Sequence, residues 1–248
     1  MTSNGLTGEI VKESGPSSQP LKYQNQRVRR TRLQRSLLNQ VPPGIIQLQK
    51  KLASLEDLEE AGVRLKFEDG TETIADLVVG GDGIRSVVRE HTFPNHTIKF
   101  TGRIIWRVLL PYSSISHIPD IAPATQWWHG PAGHGYFSLV DSPDEIALEE
   151  QMFELANHNV IDPATATGKQ FSWGVPATNE RVERHFTEYD LRLREALSKV
   201  EEGTWKEFSS FAGPRLETLT KWGKVVLIGD ASHPLTGRCP LIIFLISS

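Results

Sequence analysis

The apolar positions of this chain change their period several times, and each change predicts a different element. In residues 27–39, RVRRTRLQRSLLN, Leu33, Leu37 and Leu38 fall on one side of a helical wheel, with arginines on the other. That spacing predicts an amphipathic helix, stopped by Pro42-Pro43-Gly44. Residues 63–67 alternate apolar with basic side chains, Asp69-Gly70 supplies a tight-turn signal, and residues 73–79 resume an extended pattern. A hairpin is predicted, its second strand running on into the core as far as Gly80-Gly81-Asp82-Gly83. A short helix is expected to open near Ile84-Arg85-Ser86. Residues 104–106, 108–110, 125–128 and 136–140, separated by Pro and Gly, predict a second, β-rich region. Trp127 and Trp128 are neighbours there, so they should point to opposite faces. Residues 187–203 predict the clearest helix: Thr187 and Asp190 as a capping box, Leu193, Ala196, Leu197 and Val200 at helical spacing, and Gly203 as its stop. The apolar run at 224–228 predicts a fully buried strand. The first twenty residues are rich in Ser, Thr, Gly and Pro and predict a loop, with only residues 8–11 suggesting a strand.

Composition narrows the function classes. A chain of 248 residues can bury a core and form one or two domains. Lys+Arg 27 against Asp+Glu 30 leaves a net charge of -3, too balanced for a general nucleic-acid binder. For four of the five arginines between Arg27 and Arg35 the expected role is a solvated helix face. The single cysteine, Cys239, excludes an internal disulfide framework. The longest apolar run, residues 241–246, is far short of the ~20 needed to span a bilayer. The first residues lack the order of a secretory signal. No transmembrane segment and a cytoplasmic location are therefore expected. His91 and His96, like His129 and His134, are five apart, which does not place them on one helical face, so no metal site is expected. No G-x-S-x-G nucleophile motif is present.

Two apolar strands end alike, in LVVGGDG at 77–83 and VVLIGDA at 225–231. One such end is an ordinary Gly-Asp turn. Two of them, each after a core strand, point to a nucleotide cofactor, because open α/β sheets bind ligands at the carboxyl ends of their strands. Glycine there lets a ligand approach the backbone, aspartate accepts hydrogen bonds from sugar or ribityl hydroxyls, and a following helix offers N–H groups to a pyrophosphate.

The wording around both ends is more specific. ADLVVGGDGIRSVVR at 75–89 and KVVLIGDASHPLTG at 224–237 resemble two signature segments of the FAD-dependent aromatic hydroxylases, the family of salicylate hydroxylase and para-hydroxybenzoate hydroxylase. RVRRTRLQRSLL at 27–38 is similar to that family's Arg-containing helix, and GRIIWRVLLP at 102–111 to its first substrate-domain strand. SWGVPATNERVERHFTEYDLRLREAL at 172–197 resembles fungal members. The resemblance implies an α/β fold: an incomplete, Rossmann-like FAD/NAD(P)-binding domain of the para-hydroxybenzoate hydroxylase type, plus a β-sheet substrate domain with helices. It implies that residues 27–95 are part of the FAD-binding domain, 96–186 the substrate-domain sheet and 187–236 a helix and the return to the FAD-binding domain, with 1–26 a partly disordered or strand remnant and 237–248 an aberrant tail.

It also implies site residues. Arg30, Asp82, Gly83, Arg85, Gly229, Asp230 and Ala231 would hold FAD, with His233 lining the Asp230 turn and Pro234 near the isoalloxazine edge. Trp106 and Arg107 would begin the substrate-pocket sheet, Arg107 being the candidate pocket residue, although plain core packing is the commoner role for a Trp such as Trp106. The activity implied is hydroxylation of a small aromatic or polyketide-type molecule with NADPH or NADH and O2, in secondary metabolism or aromatic catabolism. The family's opening G-x-G-x-x-G turn has no counterpart: Gly81-Asp82-Gly83 is followed by Ser86, and Gly133-His134-Gly135 by Ser138. After Leu235 the family's glycine-rich turn and long helix are replaced by TGRCPLIIFLISS. A chain truncated at both ends is expected, with a catalytically inactive remnant or a non-enzymatic interaction fragment as the alternative.

Overall fold

A computed structural model describes residues 1–13, 27–121, 125–141, 146–165 and 173–234. Its strands, in chain order, are β1 (Thr2–Asn4), β2 (Ile10–Lys12), β3 (Leu52–Asp57), β4 (Val63–Phe67), β5 (Glu72–Ala75), β6 (Val78–Gly80), β7 (Lys99–Pro111), β8 (Gln126–Gly130), β9 (Gly133–Leu139), β10 (Met152–Val160), β11 (Trp173–Ala177), β12 (Trp205–Ala212), β13 (Thr220–Lys221) and β14 (Val225–Leu227). The helices are α1 (Arg30–Leu38), α2 (Val87–Thr92), α3 (Asn179–Glu183) and α4 (Leu191–Ser198). The described residues fall into two compact units: 1–37 with 102–209, and 38–101 with 210–234. None of the helices is long and apolar enough to cross a membrane among the described residues.

The first unit is built on an eight-stranded sheet in the order β11-β12-β7-β10-β9-β8-β1-β2. Its centre is β7, where burial alternates: Ile104, Trp106, Val108 and Leu110 are buried, while Arg103, Ile105, Arg107 and Leu109 are half-buried. Two short strands were expected at 104–106 and 108–110. The alternation runs through Arg107 without a break, so they form one strand. The buried side joins Trp106, Phe137, Phe153 and Leu155 in a core with Val182 of α3, Leu193 and Leu197 of α4 and Phe186 of the turn between them. A Cβ on Gly135 of β9 would lie 3.4 Å from Leu193 Cδ1, which fixes α4 against this side.

The predicted helix at 187–203 is shorter than its pattern. It starts at Leu191, with Asp190 as the cap whose side chain accepts from the Arg192 amide at 2.9 Å. The Thr187–Asp190 box is not used because the chain before Asp190 is held elsewhere. Tyr189 donates its hydroxyl to the Gly133 carbonyl at 2.9 Å, and the Asp190 amide donates to the Gly5 carbonyl at 2.7 Å. Gly203 sits beyond the helix, in a turn with φ +81°. The opening residues contribute more than the single strand expected at 8–11, since β1 also pairs in parallel with β8, and Tyr189 packs over it. A Cβ on Gly130 would meet the Tyr189 hydroxyl at 2.5 Å. Gly130→Ala is expected to cost about 1–3 kcal/mol through this overpacking, read as a lower urea midpoint.

The second unit holds two small sheets, β3-β4-β5 and β13-β14-β6. The Asp69-Gly70 hairpin forms as predicted between β4 and β5, with Gly70 at φ +83°. Its second strand does not continue into the core. It stops at Ala75, and the Val78 amide then donates to the Lys224 carbonyl at 2.8 Å, drawing β6 beside β14 instead. Leu55, Val63, Val78, Val88, Val225, Leu227 and Ala231 form this unit's core. The 224–228 strand is covered on one side only: Leu227 is 1% exposed, Ile228 51%. The same holds for β6, where Val79 is 53% exposed. The expected full burial fails because no second layer lies over these strands among the described residues. For the same reason the leucine side of α1 buries nothing. The tail at 237–248 lies outside the described residues.

Candidate functional site

β6 and β14 are parallel neighbours, with Gly80 opposite Leu227, so both Gly-Asp turns leave the sheet at the same end. The Ile228 amide donates to the Gly80 carbonyl at 3.0 Å and extends the pairing to the start of the second turn. Gly80 is dictated by space, since a Cβ there would lie 2.8 Å from Leu227 Cδ2 and 2.9 Å from Val88 Cγ1. Gly229 is required by conformation, at φ +56°.

Arg89, on α2, locks the two turns together. Its guanidinium is 2% exposed and donates to the Ile84 carbonyl at 2.6 Å, the Ala231 carbonyl at 2.9 Å and the Asp230 carbonyl at 3.4 Å. Burial lowers the pKa of this guanidinium, while Glu90 and Asp82 act in the opposite direction. Sequence reasoning missed Arg89. Its one local signal is that it follows Val87-Val88 on a helix of six residues, so that a cation is carried into an apolar core.

Asp82 has a job within the fold. Ser86 donates its hydroxyl to Asp82 Oδ1 at 2.5 Å, and the Val88 amide donates to Oδ2 at 3.1 Å. Ser86 Oγ in turn accepts from the Arg89 amide at 2.9 Å. These two amides are thus taken by the protein's own side chains, contrary to the expectation that this helix start would offer them to a pyrophosphate.

Beside the first turn lies a cavity of about 440 Å³, within the size range of small-molecule sites. Gly80, Gly81, Asp82 and Arg85 line one side of it, and Lys50, Lys51, Leu65 and Phe67 another. Lys50 donates to Asp69 at 2.6 Å and to Thr71 at 2.8 Å, and Lys51 pairs with Glu68 at 2.6 Å. Lys50 beside Asp69 holds that exposed carboxyl well below the usual carboxylate range. Of the residues predicted to hold a cofactor, Asp82 and Arg85 line the cavity, and Gly83 stands between them with φ +80°. Gly229, Asp230 and Ala231 occupy the neighbouring turn, with Asp230 exposed and Ala231 buried. Arg30 is exposed at the start of α1, in the other unit.

In the first unit the side of the sheet opposite its core carries the polar chemistry. Arg107 donates from Nε to Glu154 Oε1 at 2.8 Å, and Arg27 pairs with the other oxygen of the same carboxylate, which is 1% exposed. Arg29 donates to Asp141 at 2.9 Å. Arg27 and Arg29 are therefore docked to buried acids rather than forming part of a solvated helix face. Two buried carboxylates require cationic partners, and these arginines supply them. Trp106 lies in the core, fully buried, with Nε1 donating to Glu207 at 2.8 Å.

On the same polar side, His129, His134 and His158 stand directly across from one another on β8, β9 and β10. Burial, assisted by His129 and Arg103, lowers the His134 pKa to about 4. Burial, assisted by His134, Arg107 and Arg103, lowers that of His158 to about 3. Both rings are neutral at pH 7. In the unfolded chain a histidine binds a proton near pH 6.5. The two states therefore bind protons equally above that value, and only the unfolded state gains them below it. Stability is expected to be flat above pH 6.5 and to fall from there toward pH 4, read as urea midpoints across the range, with His158→Phe reducing the slope. Among the described residues no group of three or more His, Cys, Asp or Glu is arranged to hold a metal ion.

The parallel strands β6 and β14 with their paired Gly-Asp turns in one unit, and the mixed eight-stranded sheet of the other, make a mixed α/β fold that resembles the FAD-binding monooxygenases. The structure superposes on 2,6-dihydroxypyridine-3-hydroxylase from Arthrobacter nicotinovorans with a TM-score of 0.72 at 18% identity, over 94% of this chain and 59% of that one. By sequence the chain is related to the FAD-dependent aromatic monooxygenases. It is 27% identical over 215 residues to a 3-amino-4-hydroxybenzoate 2-monooxygenase of Streptomyces platensis, covering 84% of this chain and 48% of that protein. It is 29% identical over 230 residues to a salicylate hydroxylase of Sarocladium schorii, covering 83% and 42%. The chain thus spans about half the length of the curated relatives it matches. No family model matches it.

Proposed function

We propose that this chain carries part of an FAD-dependent monooxygenase that hydroxylates an aromatic or polyketide-type small molecule with NAD(P)H and O2. The observation that carries this is the pair of Gly-Asp turns side by side, fixed by Arg89, next to a cavity lined with cations and glycine. In this view the second unit holds flavin and the first presents the substrate sheet.

The residues present fit the anionic and hydroxyl-bearing middle of a flavin dinucleotide. Gly80 and Gly81 allow close backbone approach, Arg85, Lys50 and Lys51 offset phosphate charge, and the exposed Asp230 has a carboxylate that can accept from ribityl hydroxyls. Arg30 has no place in this cavity's lining, and its assignment to flavin rests on the family resemblance alone. Bound FAD would supply the oxygen-transfer chemistry, with NADPH or NADH as reductant. The chain's own part is to bind, orient and exclude water. On the substrate side Arg107, held rigid by Glu154, is the cation for an acidic substrate group. A cytoplasmic location, where NAD(P)H is supplied, goes with this function.

The test is flavin uptake. The purified chain is expected to take up FAD, turning yellow and quenching free-flavin fluorescence, and Asp230→Ala and Arg85→Ala are each expected to weaken uptake about tenfold, the scale of one charge-assisted hydrogen bond. A chain that takes up no FAD even in large excess would instead be an interaction fragment, and the proposal would be lost.

A further inference from the structure

Residues 30–48 are left bare by the rest of the described residues. The chain is held on either side of them. Before them Arg27 and Arg29 pair with Glu154 and Asp141, and after them Lys50 and Lys51 pair with Asp69 and Glu68. Between these pairs every residue is exposed except Leu33, which is half-buried. Six of the bare side chains are aliphatic: Leu37, Leu38, Val41, Ile45, Ile46 and Leu48, exposed from 36% at Val41 to 80% at Leu48. One aliphatic side chain at a surface needs no explanation, but a contiguous run of them marks an interaction site. α1 has nine residues, and a helix that short is marginal in water unless its apolar side packs on something.

The charge is one-sided as well. From Arg27 to Leu55 the sequence has five arginines and two lysines and neither Asp nor Glu. Arg30, Arg32 and Arg35 of α1 are all exposed. A partner for this stretch must use both the aliphatic side chains and the cations. A nucleic acid would take the arginines and leave the aliphatics in water. A helix-binding protein groove reads one unbroken helical stripe, whereas here Pro42-Pro43-Gly44 follows the helix with Ile45, Ile46 and Leu48 still to come. A bilayer surface with anionic headgroups takes both kinds of side chain and demands no fixed register. The contact lies on the surface, since among the described residues no helix is long and apolar enough to cross.

We propose that residues 30–48 dock the protein on a bilayer surface that contains anionic lipid. The aliphatic side chains enter the boundary between headgroups and acyl chains, and the arginines of α1 stay level with the lipid anions. Arg30, which has no place in the lining of the flavin cavity, meets its anion here. One short stretch without a lipid anchor binds reversibly.

The experiment floats the full chain with vesicles of phosphatidylcholine alone and with vesicles that also hold about 30% phosphatidylserine, at low and high salt. Flotation keeps aggregated chain from counting as bound. The chain is expected to prefer the anionic vesicles by more than about tenfold at low salt, and to lose most of that preference at high salt. Hydrogen exchange of the backbone should slow at residues 30–48 on the anionic vesicles. Arg35→Gln should weaken binding about fivefold. The double substitution Leu37→Ser and Ile45→Ser should weaken it about tenfold or more. All three positions are exposed, so these variants should fold, and a thermal melt checks this. The lipid comparison and the hydrogen exchange on the unaltered chain stand without them. Absence of vesicle binding, equal binding to both vesicles, slowed exchange confined to other residues, or binding unchanged by the double substitution overturns the proposal. Duplex DNA is run in the same buffers. DNA binding without vesicle binding assigns the arginines to nucleic acid, and self-association abolished by the double substitution without vesicle binding assigns the aliphatics to a second copy. Either result overturns the proposal.

Discussion

Arg89→Met is expected to destabilise the protein by about 3–5 kcal/mol and to abolish FAD uptake. Methionine fills a similar volume but donates nothing, so the carbonyls of Ile84, Asp230 and Ala231 lose their partner. A buried carbonyl left unpaired, as at Ala231, costs about 1–3 kcal/mol, and the half-buried Ile84 and exposed Asp230 carbonyls cost less. The loss reaches beyond stability, because the same three bonds hold the β6 turn beside the β14 turn. Arg89→Lys is expected to recover only part of the loss, since one ammonium cannot span the fork from Ile84 to Ala231. Urea unfolding followed by far-UV circular dichroism gives the stability, and flavin absorbance gives the uptake. If Arg89→Met keeps the original urea midpoint, the two turns are held together by something other than this side chain.

Glu154→Ala is the second large effect, a loss of about 3 kcal/mol. This is the lower end of the cost of breaking a buried ion pair, because Arg107 and Arg27 keep some contact with water, with 17% and 19% of their side chains exposed. Two guanidinium groups lose the carboxylate that both neutralised them and fixed their direction. Arg107 would no longer be aimed, so substrate affinity should fall together with stability. Glu154→Gln keeps shape and one acceptor pair without the charge, and should lie between the two. Urea midpoints rank the three proteins. Equal midpoints for wild type and Glu154→Ala would show that the arginines do not depend on this acid.

Much of the candidate site was legible in the sequence because its signals are local. A run of apolar residues ending in Gly-Asp states where a strand stops and what chemistry follows, and Asp82 and Asp230 do emerge at the ends of adjacent parallel strands. The Asp69-Gly70 hairpin is local in the same way. What was not legible depends on pairing between distant segments. The histidine row exists only because β8, β9 and β10 align in register, and spacing of five along the chain says nothing about that. Arg89 was missed because its partners Asp230 and Ala231 lie some 140 residues away. Arg27 and Arg29 resembled a solvated run until the buried acids Glu154 and Asp141, from far along the chain, came under them. The predicted helix at 187–203 was too long because helical periodicity cannot show that Tyr189 is already pinned to Gly133.

Among the described residues, the one-sided covering of β6 and β14 leaves Val79, the neighbouring Leu77 and Ile228 exposed. A water-facing oily stripe beside an intact core is the feature that molecular chaperones grip and that drives chains to clump at high concentration. A segment laid over those three side chains would therefore be expected to lengthen the life of this polypeptide in a cell, as a stronger fold beneath them would.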